Sequence, residues 1–273
     1  MSDLGNKEVF AKNLKYYMDK YQTPYAMVFG NHDRENASAI ELIDIVNNSQ
    51  YGIFINGKSM LNTNGNYYIN IVNNNNELIH KLVMMDSRDY LSANPYKYKY
   101  VQTPIDGMIY NKFLGRPFYG SASYDNVKDE QLEWYKNIID PSIESTLFIH
   151  IPFIEYCYAI EEYKKAISEE NIEEINKYNS IGLNRITESI SSPYLNYGFF
   201  DLIKEKGSTK NIICGHDHSN DFSIVYEGIR LTYALKTGDE CYWYNETMNG
   251  YTTISINSNG NASITQNYFN PYL

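Results

Sequence analysis

Residues 7–33, KEVFAKNLKYYMDKYQTPYAMVFGNHD, hold one structural unit and end on a group with chemical potential. Val9, Phe10, Leu14, Tyr17 and Met18 recur at helical spacing over residues 7–21, Thr23-Pro24 stops that helix, and the apolar run from Tyr25 to Phe29 begins a strand. The strand empties into Gly30-Asn31-His32-Asp33. The same order returns twice. A helix over residues 128–139, closed by Pro141, precedes a strand over residues 146–149 that ends at His150. A helix over residues 195–206, ended by Gly207, precedes a strand over residues 211–214 that opens into Gly215-His216-Asp217-His218. Four of the five histidines lie in these three clusters. Polar side chains at the carboxyl ends of neighbouring strands converge on one crevice, which is where open α/β sheets place ligands.

Between these units the pattern predicts a helix over residues 38–46 and strands over 51–55, 67–72 and 78–85, the last two joined by the Asn-rich turn 73–76. Residues 90–124 are rich in Tyr, Pro and Gly without period and read as a long loop walling a cleft. Residues 155–178 read as a charged, exposed helical insertion, within 155–180, that breaks near Ser168. Residues 223–226, 229–235, 251–256 and 262–268 alternate as antiparallel strands do. Helix–strand units followed by hairpins predict an α/β fold with mixed sheets, organised as a single domain over residues 1–273 without internal repeat or linker.

The net charge of −10 and the scattered distribution of 23 Lys and Arg argue against nucleic acid as a partner, because backbone binding needs concentrated positive charge. An acidic chain that handles phosphate needs a metal to reverse the local field. No run approaches the roughly 18 apolar residues of a membrane span, and the polar start Met1-Ser2-Asp3-Leu4 is unlike a signal peptide. The expectation is a soluble, cytoplasmic chain, or a secretory one if a signal lies upstream. Cys157, Cys214 and Cys241 are odd in number and unpaired in spacing, so they predict core thiols and no disulfide framework. His80, set among Leu78, Ile79 and Leu82, reads as structural.

Imidazole nitrogens and carboxamide oxygens are ligands for borderline metals such as Zn, Mn or Fe. Asn31, His150, His216 and His218 supply four candidates. His32, followed by Asp33 as an orienting carboxylate, suits protonation of a leaving alkoxide. Glu155 and Tyr156 follow His150 closely enough to be candidate substrate contacts, and the aromatics from Tyr96 to Tyr100 could stack on one. Asp86 and Asp89, at a strand end, suit turn formation better than ligation.

With these motifs in view the chain resembles the calcineurin-like metallophosphoesterases, and within them the purple-acid-phosphatase-like proteins. The resemblance rests on Gly30-Asn31-His32-Asp33-Arg34-Glu35, Asp86-Ser87-Arg88-Asp89-Tyr90, His150-Ile151-Pro152 with Glu155-Tyr156, and Cys214-Gly215-His216-Asp217-His218-Ser219-Asn220-Asp221-Phe222. It implies a four-layer α/β/β/α sandwich. It also implies a mixed or divalent Fe, Zn or Mn pair, with Asn31, His150 and His216 on one metal, His218 on the other and His32 as general acid. The substrates implied are small-molecule phosphoesters or phosphoproteins.

One departure is plain. The family's upstream Asp-x-His and Gly-Asp motifs, which bring three ligands, the bridging carboxylate among them, have no counterpart before residue 30. The expectation is a chain that begins just after them and holds at most one weakly bound metal, with reduced phosphatase activity and an uncovered sheet edge or core face. The alternative is a non-catalytic interaction or metal-binding protein on the same fold.

Overall fold

A computed structural model of the chain describes residues 6–33, 37–56, 63–90, 102–105, 108–111, 116–118, 124–193, 198–238 and 249–270, with backbone alone for the three short pieces between 102 and 118. In chain order the elements are α1 (Lys7–Lys20), β1 (Tyr25–Ala26), α2 (Ala39–Asn47), β2 (Gly52–Ile53), β3 (Tyr67–Val72), β4 (Leu78–Met84), β5 (Gln102–Ile105), β6 (Met108–Asn111), β7 (Arg116–Phe118), α3 (Asp129–Ile138), β8 (Glu144–Phe148), α4 (Ile154–Ser168), α5 (Ile172–Lys177), α6 (Phe199–Lys206), β9 (Thr209–Cys214), β10 (Ser223–Tyr226), β11 (Ile229–Tyr233), β12 (Gly250–Ile256) and β13 (Ala262–Tyr268). The fold is mixed α/β, as expected from the sequence.

Six strands form the main sheet in the order β10-β11-β9-β8-β4-β3. The inner four, β11, β9, β8 and β4, are parallel, and antiparallel β10 and β3 close the two edges. Alternation divides the sheet into two faces. Val83, Leu147, Ile212 and Leu231 point to one face, each with essentially no exposure, and pack with buried side chains of α3, α4 and α6. Burial of a side chain this size contributes about 1.5–3 kcal/mol, so this helix-backed face dominates the stability.

The opposite face is split. Toward β3 it is apolar, where Tyr67, Met84 and Phe148 join Phe29, Leu42, Val46 and Phe54 in a second cluster that receives α1, α2 and the β1–β2 pair. Toward β10 and β11 it carries Thr146, Asn211, Ser223, Arg230 and Thr232, all buried. The β12–β13 hairpin is tied across this polar half. His80 Nδ1 meets Gly260 O at 2.7 Å and its Nε2 meets Thr146 Oγ1 at 3.0 Å, while Gln266 Nε2 donates to Tyr233 O at 2.9 Å. The structural reading of His80 therefore holds, since both ring nitrogens are engaged.

Three expectations are corrected. Residues 102–105, 108–111 and 116–118 form the antiparallel sheet β5-β6-β7 where a loop was expected; the Pro and Gly content hid short strands from a periodicity test. The helical stretch after His150 is no exposed insertion along its first part, because Ile154, Tyr156, Tyr158, Ala159, Ile160 and Tyr163 of α4 are buried in the main core. Only α5, beyond the break at Ser168, buries nothing. Along α1 the anticipated apolar face holds only in part: Leu14 and Met18 pack against the second cluster beside the buried Ala11, whereas Val9, Phe10 and Tyr17 are exposed and Lys7 is buried. Among the described cysteines Cys214 is buried, Cys157 is partly buried and both are free thiols; Cys241 and residues 96–100 lie outside the described residues.

Candidate functional site

Because β4, β8 and β9 are parallel, their carboxyl ends share one edge of the sheet, and the segments leaving them carry Asp86, His150 and His216. The Asn31 turn joins them from outside the sheet. Tyr67 positions it: the phenol on β3 receives a hydrogen bond from Met27 N at 3.1 Å and donates to Met27 O at 2.8 Å, fixing the chain that leads from β1 to Gly30. Asp33 then folds back, its Oδ2 accepting from Gly30 N at 2.8 Å, and locks the turn that presents Asn31 and His32.

The central contact is between Asn31 Oδ1 and His150 Nε2, 3.0 Å apart. A carboxamide oxygen only accepts, so the proton of His150 lies on Nε2 in this arrangement. Gly30 makes the approach possible, since a Cβ there would lie 2.8 Å from both Cε1 and Nε2 of His150. The His216 ring stands edge-on to His150 with centroids 5.1 Å apart. Desolvation holds the His150 imidazolium well below the usual histidine range, and the neighbouring His216, His218 and His32 add to the effect, although the residue as a whole is only half-buried. That influence places His32, His216 and His218 within electrostatic reach of His150.

His216 has φ +78°, and Asp217 N donates across it to Gly215 O at 3.0 Å. The next side chain, Asp217, is buried, and its Oδ2 accepts from Ser191 N at 3.1 Å and from the Tyr233 hydroxyl. Burial pushes the Asp217 carboxyl up to about 6 in spite of those two donors. Further along, Glu188 Oε1 accepts from Ser219 N at 2.5 Å and Ser219 Oγ at 2.8 Å, and Asn220 Oδ1 accepts from Thr187 N at 3.2 Å. A groove of about 430 Å³ lies between α4 and residues 186–190, and none of the four site histidines lines it.

Two tyrosines to which sequence reasoning gave no role in the site wall the cluster. Tyr90 receives a hydrogen bond from Asn31 Nδ2 at 3.1 Å and stands edge-on to His32 at 6.2 Å. Tyr124 stands edge-on to His216 at 4.7 Å and stacks on Tyr90 at 5.7 Å. The clue was available in outline, because Tyr90 and Tyr124 bound the aromatic-rich stretch expected to wall a cleft, and their backbones pair.

The remaining candidates are placed less centrally. Tyr156 is fully buried beneath the sheet, its hydroxyl donating to Ile212 O at 2.8 Å and its ring packed on Tyr233, so the expectation that it contacts substrate is corrected. Glu155 sits buried in the first turn of α4. Asp86 accepts from Asn64 N and Arg88 N, each at 2.8 Å, and serves the turn there. His218 is partly exposed two residues beyond His216.

Among the described residues no group of three or more His, Cys, Asp or Glu side chains is arranged as a metal site. Asn31, His150 and His216 nonetheless bring one carboxamide oxygen and two imidazoles together, a donor set that fits one borderline ion and contains no carboxylate.

Comparison with known proteins bears on this geometry. The chain is 28% identical over 152 residues to the Arabidopsis thaliana protein named probable inactive purple acid phosphatase 14, covering 50% of this chain and 33% of that one. It is 28% identical over 214 residues to phosphatase DCR2 of Saccharomyces cerevisiae, covering 74% of this chain and 31% of that one. The chain thus spans about a third of the length of the curated relatives it matches. No family model matches it, and no solved structure does. The α/β fold around a mixed six-stranded sheet and the two phosphatase-named relatives support a metallophosphoesterase-like relationship.

Proposed function

We propose that the cluster is a metal-dependent phosphoesterase site for phosphate mono- or diesters. The observation that carries the reading is the Asn31–His150 contact at 3.0 Å with His216 beside it, three borderline donors delivered by three separate loops. A Zn, Mn or Fe ion held by Asn31, His150 and His216, with His218 adjacent, supplies an activated water and neutralises phosphoryl charge when bound. His32 shares the turn with Asn31 and is braced by Tyr90, which suits it to deliver a proton to the departing alkoxide. Asp33 keeps that turn closed through Gly30 N. Small-molecule phosphoesters or phosphoproteins are the substrate class, and the net charge of −10 disfavours nucleic acid.

Only one ion, weakly held, is expected. Neutral donors do not offset the repulsion between two close cations, and an ion must displace the proton that His150 shares with Asn31. A second reading, a non-catalytic protein on the same fold, draws support from the Arabidopsis relative, whose name marks it as inactive. No helix among the described residues is long and apolar enough to cross a membrane.

The test combines zinc counting at equilibrium with hydrolysis of p-nitrophenyl phosphate by the wild type, Asn31→Ala and His150→Ala. One zinc per chain and slow hydrolysis, both lost in the variants, are expected. Two tightly bound ions, or hydrolysis that survives His150→Ala, would sink the reading, and zinc binding without hydrolysis selects the non-catalytic alternative.

A further inference from the structure

The hydrogen bond from Asp217 N to Gly215 O closes a three-residue turn over His216, whose φ is +78°. A γ-turn with a positive central φ is rare and strained, and for a residue with a Cβ it persists only when its surroundings over-determine it. The surroundings here are specific. Gly215 N donates to His150 O at 3.2 Å, which fixes the entry to the turn. At its exit the buried Asp217 Oδ2 takes Ser191 N at 3.1 Å and the Tyr233 hydroxyl. Tyr233 is itself immobilised, with its ring 5.5 Å from Tyr156 and 5.0 Å from Phe222 at the end of β11. The contacts of Glu188 and Thr187 act further on, at Ser219 and Asn220. Asp217 lies between the two histidines and grips the turn directly.

We infer that Asp217 is a positioning residue, which through Tyr233 and Ser191 holds His216 in its strained turn and so directs the imidazole toward the Asn31–His150 pair. What the turn needs from residue 217 is an acceptor oxygen at that place and not a negative charge. Asparagine supplies the oxygen and alanine does not. The inference deepens the metal reading and rests on it only for the zinc measurement below.

The experiment uses the whole chain with Asp217→Ala and Asp217→Asn, well below the melting temperature of either. Hydrogen exchange over residues 211–222 in metal-free protein reads the turn itself: about tenfold faster exchange in D217A and near wild-type protection in D217N are expected. Zinc titration reads the consequence: the Kd rises by roughly ten- to a hundredfold in D217A, the usual effect of losing a residue that orients a ligand, and stays near wild type in D217N. Unchanged exchange in D217A, or equal loss in the two variants, overturns the positioning role. If the wild type binds no zinc, the metal reading falls while the exchange comparison still decides the inference.

Discussion

Gly30→Ala isolates the closest approach in the site. The added Cβ would lie 2.8 Å from both Cε1 and Nε2 of His150, against 3.4–4 Å for an ordinary contact, so the ring must withdraw by about 0.6 Å or more. Withdrawal breaks the 3.0 Å hydrogen bond to Asn31 and disturbs the edge-on contact with His216. Overpacking of this kind costs about 1–3 kcal/mol, and the lost hydrogen bond about 0.5–1.5 kcal/mol; His150 is only half-buried, so a total of roughly 2 kcal/mol is expected. Gly215→Ala is the matched control, because its Cβ would meet His150 Nδ1 at 3.6 Å, an ordinary contact at a position without positive φ. Urea denaturation with zinc titration in parallel measures both. Loss of stability and zinc affinity in Gly30→Ala, with Gly215→Ala within about 0.5 kcal/mol of wild type, is the expected pattern. Equal behaviour of the two variants would refute the reasoning that Gly30 exists to admit His150.

Other outcomes follow from buried groups away from that contact. His80→Leu strands Gly260 O and the Thr146 hydroxyl and should cost about 2–4 kcal/mol in thermal or chemical denaturation while zinc affinity is unchanged; a neutral result would mean the hairpin is held by other contacts. Burial pushes the Cys157 thiol up to about 12, so it should resist alkylation by iodoacetamide at pH 8 in the native protein, and rapid modification would contradict the packing described. Asp217 titrates near 6 in the folded chain against an ordinary 3.8, so the folded state binds the extra proton and stability falls as pH rises from about 4 to about 6. The full difference corresponds to about 3 kcal/mol, which Asp217→Asn should remove, leaving a flatter stability profile over that interval; a profile steeper than wild type would contradict the assignment.

The helix–strand units were legible because their information is local. Apolar runs and stop signals placed β3, β10 and β13 to the residue and the remaining principal helices and strands within a few residues. The three strand-end clusters were legible for the same reason; parallel β8 and β9 then deliver His150 and His216 to one edge of the sheet, and the Asn31 turn after β1 joins them from outside it. What could not be read was set by distant partners. Which face α1 buries depends on α2 and the β1–β2 pair, so Phe10 and Tyr17 emerged exposed in spite of their spacing. Tyr156 looked like a neighbour of His150 in sequence, but the first turn of α4 rotates it under the sheet onto Tyr233. Tyr90 and Tyr124 are 34 positions apart and become a wall only because their backbones pair.

The same contacts bear on how a cation could be tolerated in a site built from neutral donors. Carboxylates on the segments around the site accept from backbone or phenol donors: Asp33 from Gly30 N, Asp86 from Asn64 N and Arg88 N, Asp217 from Ser191 N and the Tyr233 hydroxyl. These acids shape the loops, and the donors left facing one another are Asn31, His150 and His216. None of Asn31, His150 and His216 brings negative charge to a divalent ion, so a phosphate dianion bound beside it would supply that charge directly. Binding of metal and of a phosphate dianion should therefore be coupled, each strengthening the other by the same factor. Zinc titrated in the presence of saturating inorganic phosphate is expected to bind about tenfold or more tightly than in its absence, corresponding to a coupling of about 1.4 kcal/mol or more. Phosphate titrated with and without zinc should show the same factor. Equal zinc affinity with and without phosphate would mean that some protein carboxylate already compensates the ion, and the account of Asp33, Asp86 and Asp217 as purely structural acids would fail.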